Sequence, residues 1–139
     1  MPKITSVLLV DDDPTNNFLN ERLLKRLDVA ERIFVTANGQ EALALLQQPA
    51  SISQPPALIL LDIQMPIMNG IEFLEAYQQL PPAQRQATTV VVLTTSMDTR
   101  DLARLEALPA AGRINKPLTP EKIQTLLALH QPPAQLRAD

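Results

Sequence analysis

The chain has 139 residues, no Cys, one His, 13 Pro, 3 Gly and a formal net charge of −3. That length suits one domain able to bury a core without covalent staples, and the missing thiols exclude disulfides, Cys-ligated zinc and thiol catalysis. A single His leaves little for a His-rich metal site or a Ser-His-Asp triad, and the acidic balance argues against nonspecific attraction to nucleic acid or anionic lipid.

Val7 to Val10 is an unbroken apolar run ended by Asp11-Asp12-Asp13, the pattern of a short strand buried on both faces. It is too short for a signal peptide or a membrane span, so a soluble cytoplasmic domain is expected. Asp13-Pro14 reads as a helix cap followed by proline at the first helical position. Phe18, Leu19, Leu23, Leu24 and Leu27 then form a helical apolar stripe. Ile33 to Val35 is a second strand, and Asn38-Gly39 turns into a helix with Ala42, Leu43, Leu45 and Leu46.

Pro49 to Pro56 reads as a loop, and Leu58 to Leu61 as a third apolar strand, again ended by an acid, Asp62. A loop with Pro66 and Asn69-Gly70 precedes a helix bearing Ile71, Phe73, Leu74 and Tyr77, which Pro81-Pro82 breaks. Val90 to Leu93 is a fourth strand, ended by Thr94-Thr95-Ser96. A charged helix follows over about 98–108, with Arg100, Asp101, Arg104 and Glu106 on a solvated face. Arg113 to Asn115 is a brief fifth strand. Thr119-Pro120 caps a last helix with Ile123, Leu126, Leu127 and Leu129, closed by His130, where a cation complements the helix dipole. Residues 131–139 read as a frayed tail. Five strands alternating with five helices indicate a parallel α/β sheet covered on both faces, a three-layer doubly wound sandwich.

In such a sheet, ligands bind beyond the carboxyl ends of the strands, where strand order reverses. The chemistry-bearing residues fall at those ends: Asp11 and Asp12, Asp62, Thr94, and Lys116 before Pro117. If the first and third strands are neighbours, three carboxylates converge. Such a cluster resists joint ionisation, and a hard divalent cation relieves it. Mg²⁺ fits an all-oxygen site better than Ca²⁺, whose loop signature is absent. A carboxylate beside Mg²⁺, with an ammonium and a hydroxyl at hand, suits formation of an aspartyl phosphate.

VLLVDDDP, LILLDIQMPIMNG, VVVLTTS and INKPL occur in order over nearly the whole chain. With them the sequence resembles the response-regulator receiver domain of two-component signalling, over residues 4–130. The resemblance implies a flavodoxin-like (βα)5 fold with sheet order 2-1-3-4-5. It also implies Asp62 as phosphoacceptor and Asp11 and Asp12 as the acidic pair holding Mg²⁺, joined by Asp62 and the backbone carbonyl of Gln64. Thr94 would bond the phosphoryl group, Lys116 would pair with it, and Pro117 would follow a cis peptide bond. Three consecutive acids leave the pair readable as Asp11/Asp12 or Asp12/Asp13, with Asp13 better suited to capping. Gln64 and Ser96 flank the site, where they would tune phosphoryl lifetime.

One departure stands out. Many family members carry an aromatic three residues before the lysine, and here that residue is Arg113, a side chain not expected to bury itself in the same pocket.

The resemblance implies a sensor histidine kinase or histidine phosphotransfer protein as donor and an output protein as noncovalent partner. No direct nucleic-acid contact and no membrane insertion are expected, and the state is monomer or phosphorylation-dependent dimer. Its chemistry would be limited to Mg²⁺-dependent self-phosphotransfer and slow autodephosphorylation. Two alternatives belong to other classes. Asp11-Asp12-Asp13-Pro14-Thr15 spells D-x-D-x-T, the nucleophile motif of haloacid-dehalogenase-type phosphatases with Asp11 attacking, although that family's final acidic pair is absent. A phosphorylation-independent binding module on the same fold is the other.

Overall fold

A computed structural model describes residues 3–47, 55–95, 99–108, 110 and 112–130. The residues read from sequence as a frayed tail, 131–139, lie outside the described residues, as do Ser96 and most of the loop expected between Pro49 and Pro56.

The elements run β1 (Ile4–Val10), α1 (Pro14–Leu27), β2 (Ala30–Thr36), α2 (Gly39–Gln47), β3 (Leu58–Asp62), α3 (Gly70–Tyr77), α4 (Pro82–Gln86), β4 (Thr89–Thr94), α5 (Thr99–Glu106), β5 (Gly112–Asn115) and α6 (Pro120–His130). The strands pair in parallel, in the order β2-β1-β3-β4-β5. Helices cover both faces, the doubly wound sandwich expected from the sequence.

The two-faced burial explains the unbroken apolar runs. Leu8, Val10, Ile59, Leu61, Val90 and Val92 point to one face and pack with residues of α2, α3 and α5, among them Leu43, Phe73 and Leu105. Their neighbours Val7, Leu9, Leu58, Leu60, Val91 and Leu93 point the opposite way and pack against Leu24 of α1 and Ile123 and Leu126 of α6. Alternation of side chains along a strand feeds both cores at once, so Val7–Val10, Leu58–Leu61 and Val90–Leu93 are apolar at every position.

Two readings need correction. Pro81-Pro82 does end α3, but Pro82 also starts α4, a short helix that raises the helix count among the described residues to six. Proline is well placed at a first helical position, so the same residues stop one helix and open another. The apolar stripe of α1 is also only partly a core face. Leu24 is buried, whereas Phe18 and Leu19 are 59% and 53% exposed. The buried partner of Leu24 on this helix is a polar residue, Asn17.

Caps follow the sequence signals. Asp13 accepts a hydrogen bond from the Thr15 N–H at 2.9 Å, and Asn69 forms a capping box with Glu72. Between β3 and α3, Ile67 has φ 70° at the centre of a tight turn closed by Met68 N–H donating to the Pro66 carbonyl at 2.7 Å. That conformation is unusual for a β-branched residue, and the side chain stays 75% exposed.

Gly70 lets the chain close this turn onto the end of β3. A Cβ there would lie 2.5 Å from the Asp62 carbonyl oxygen and 2.9 Å from the Ile63 Cα, both backbone atoms unable to move aside. Gly70→Ala is therefore expected to lower the unfolding free energy by about 1–3 kcal/mol, the usual cost of overpacking a filled site. Urea titration checks this, and an unchanged midpoint would contradict so close an approach.

Candidate functional site

The order β2-β1-β3 places the direction reversal of the sheet between β1 and β3. The chain leaves β1 at Val10 and β3 at Asp62, and Val10 pairs with Leu61 across the two strands. The acids that follow are thus brought side by side. Asp11, Asp12 and Asp62 each offer a carboxylate oxygen, and these oxygens lie within 4.8 Å of one another. Asp11 and Asp62 are 4% and 7% exposed, while Asp12 faces solvent.

Lys116, 105 residues after Asp11 in the chain, reaches into this cluster from the end of β5. Its Nζ donates to Asp11 Oδ2 and stands 3.0 Å from both that atom and Asp62 Oδ1. Its backbone is held against β4, with Lys116 N–H donating to the Thr94 carbonyl at 2.7 Å. The Lys116–Pro117 peptide is cis, as the resemblance implied. Thr94 ends β4 buried, with its hydroxyl donating to Asn115 Oδ1 at 3.3 Å, whereas its neighbour Thr95 is exposed.

The three acids of the run differ in what each side chain touches. Asp13 is spent on the cap of α1 and lies outside the cluster. Asp11 is fixed through both its backbone and its side chain. The Asn17 Nδ2 donates to its carbonyl at 2.8 Å, and the Asp13 N–H donates to its Oδ1 at 2.9 Å. Gln64 follows β3 in the exposed loop.

Three carboxylates against one ammonium leave the ionised cluster with an excess of negative charge. Burial pushes the Asp62 carboxyl above its ordinary value; the bond from Lys116 works against that rise, and the Asp11 charge adds to it. Burial works to lower Lys116, but its bonds to Asp11 and Asp62 outweigh it and the ammonium is held above its usual range. The donor set is all oxygen, hard and anionic, which fits a divalent cation of the Mg²⁺ class.

One expected feature differs from the sequence reading. His130 closes α6, but burial lowers its pKa and its Nδ1 is buried without a partner, so it is disfavoured as the cation that would complement the helix dipole. Arg104 is exposed, in line with a solvated face, and also pairs with Glu75 of α3 at 2.9 Å. Arg113 is exposed on β5, as its chemistry requires.

Asn17 and Asn115 carry contacts that motif reading passed over. Asn is a weak helix former, so a second Asn early in α1, on the side of the helix that turns inward, was the available signal for Asn17. Asn115 has no such signal, because its role depends on the pairing of β4 with β5.

Asp62 provides a test by pH. Its folded pKa is raised from 3.8, so its favourable contribution is complete below that value and is lost as pH rises through the folded pKa. Asp62→Asn is expected to be more stable than the wild type at pH 7, with the gap closing as pH falls to 3.8 and below. Thermal unfolding across that range checks it, and a wild type more stable than Asp62→Asn at pH 7 would contradict it.

Comparison with known proteins agrees with this geometry. Residues 7–128 match the family model of the response regulator receiver domain. The chain is 36% identical over 103 residues to the response regulator Rcp1 of Synechocystis, covering 73% of this chain and 67% of that one. It is 32% identical over 127 residues to the signal transduction histidine-protein kinase BarA of Escherichia coli, covering 91% of this chain but spanning only 13% of that relative. The solved structure of a two-component response regulator from Cytophaga hutchinsonii superposes with a TM-score of 0.81 at 32% identity, covering 93% of this chain and 98% of that one. The acid cluster, the lysine between two of its members and the sheet order all stand within that match: the chain belongs to the response regulator receiver domain family.

Proposed function

We propose that this receiver domain, spanning residues 4–130, accepts a phosphoryl group on Asp62 from the phosphohistidine of a sensor histidine kinase or a histidine phosphotransfer protein. The observation that carries the reading is the Lys116 ammonium set 3.0 Å from both Asp11 and Asp62, beside the exposed Asp12. A Mg²⁺ ion would be held by Asp11, Asp12, Asp62 and the Gln64 backbone carbonyl. When bound it supplies positive charge to the phosphoryl oxygens.

An Asp62 carboxylate oxygen attacks phosphorus in line with the departing histidine nitrogen. The new P–O bond forms as the P–N bond breaks, and the nitrogen keeps the electron pair. Lys116 turns its charge from Asp62 to an equatorial phosphoryl oxygen, which offsets charge where it develops. Thr94 exchanges its bond to Asn115 for one to another phosphoryl oxygen. Burial of Asp62 favours the change, because a carboxylate that is costly to keep ionised becomes an acyl phosphate with charge displaced outward to the ligands.

The resulting state biases the loops after β3 and β4. With Arg113 in place of an aromatic, the signal passes through these loops and α5 to a noncovalent output partner, in the cytoplasm, as a monomer or a phosphorylation-dependent dimer. Among the described residues no helix is long and apolar enough to cross a membrane.

Incubation with acetyl phosphate and Mg²⁺ followed by peptide mapping is expected to place the acyl phosphate on Asp62. Asp62→Asn should abolish the label and chelation of the metal should prevent it. Lys116→Met should slow labelling by about 100-fold or more, the scale of removing one preorganised charge-stabilising donor. Label on Asp11 would instead identify phosphatase-type chemistry, and equal partner affinity for wild type, Asp62→Asn and phosphorylated protein would favour the phosphorylation-independent module.

A further inference from the structure

Lys122 lies in the first turn of α6, two residues after Pro120 opens the helix. The exposed N–H groups of that turn carry partial positive charge, so the position favours an acid over a cation. Lys122 is nevertheless accommodated, because its side chain turns back from the helix. The Nζ donates to the Asn115 carbonyl at 2.7 Å and to the Pro117 carbonyl at 3.1 Å. Its own N–H donates to Thr119 Oγ1 at 3.2 Å, which fixes the stem from which the side chain folds.

The two carbonyls it gathers belong to the residues on either side of Lys116. On the far side of the same segment, Lys116 N–H donates to the Thr94 carbonyl at 2.7 Å, and the Asn115 side chain accepts from the Thr94 hydroxyl at 3.3 Å. The backbone of Lys116 is therefore gripped between β4 and the Lys122 ammonium. A lysine side chain has many rotamers, and the reach of its charge to Asp11 and Asp62 depends on where its Cα is held.

We propose that Lys122 is a positioning residue for Lys116: its ammonium bridges the Asn115 and Pro117 carbonyls and locks the segment that delivers the Lys116 charge to the acid cluster. The inference rests on the reading above, in which Lys116 pairs with the phosphoryl group. Lys122 touches neither the acids nor any reacting atom, and it works only through the backbone. Two N–H bonds from one ammonium are what the arrangement uses. Methionine keeps the stem and loses both, while arginine keeps the charge and the capacity for two bonds.

The test uses the full chain as wild type, Lys122→Met and Lys122→Arg. Unphosphorylated protein is treated with limiting acetic anhydride, and modification of Lys116 is followed by peptide mass spectrometry. Acyl-phosphate formation from phosphoramidate and Mg²⁺ is timed on the same samples. Lys116 should be modified several-fold faster in Lys122→Met and return to the wild-type rate in Lys122→Arg. Acyl-phosphate formation in Lys122→Met should fall about tenfold, less than the roughly 100-fold cost of a full 1 Å misplacement. Amide exchange in β1 and β3 should stay unchanged. Equal Lys116 modification in wild type and Lys122→Met overturns the inference. So does faster exchange throughout β1 and β3, or failure of arginine to restore protection, since either marks a merely structural lysine. Wild type that shows the stated protection of Lys116 but no label on Asp62 leaves the clamp standing and removes the phosphoacceptor reading.

Discussion

The Lys116 ammonium stands 3.0 Å from both Asp11 and Asp62, and the arrangement around it follows from the need to keep those charges together below the surface. Two nearly buried carboxylates side by side repel, and burial penalises the charge on Asp62. One ammonium between them offsets part of that cost and leaves negative charge to spare. The excess is what gives the cluster its chemistry. A fully neutralised buried pair would serve structure alone, whereas this cluster, with Asp12 open to solvent, keeps an uncompensated negative charge of the kind that suits a divalent cation.

The fold exists in service of that placement. Parallel strands end at one edge of the sheet, and the reversal between β1 and β3 opens a gap there. Val7–Val10, Leu58–Leu61 and Val90–Leu93 can be apolar throughout because both faces are covered, so the first polar residue after each run falls at the same edge. Asp11, Asp62 and Thr94 are in this sense the ends of hydrophobic runs. Gly70 then allows α3 to start directly against the Asp62 backbone, and Asn17 of α1 holds the Asp11 carbonyl.

Much of this was legible in the chain. Continuous apolar runs bounded by acids marked the central strands, and Asp13-Pro14, Asn69-Gly70 and Thr119-Pro120 marked helix starts that the structure contains. The order of motifs carried the family and with it the sheet order. What escaped the sequence depended on contacts between distant segments. The exposure of Phe18 and Leu19 was not legible, because periodicity locates an apolar stripe without saying how far it turns from the sheet. Helix α4 escaped because a proline pair reads first as a stop. The neutralising burial around His130, the bridge from Arg104 to Glu75 and the Lys122 contacts with two carbonyls have no local signature at all.

The excess negative charge of Asp11, Asp12 and Asp62 beside Lys116 suits one divalent cation. Calorimetric titration of the unphosphorylated chain with Mg²⁺ at neutral pH tests it most directly. Saturable binding of a single ion is expected in the wild type, with loss of that binding when Asp12 is replaced by Asn. Absence of binding in the wild type, or equal affinity in Asp12→Asn, would contradict it.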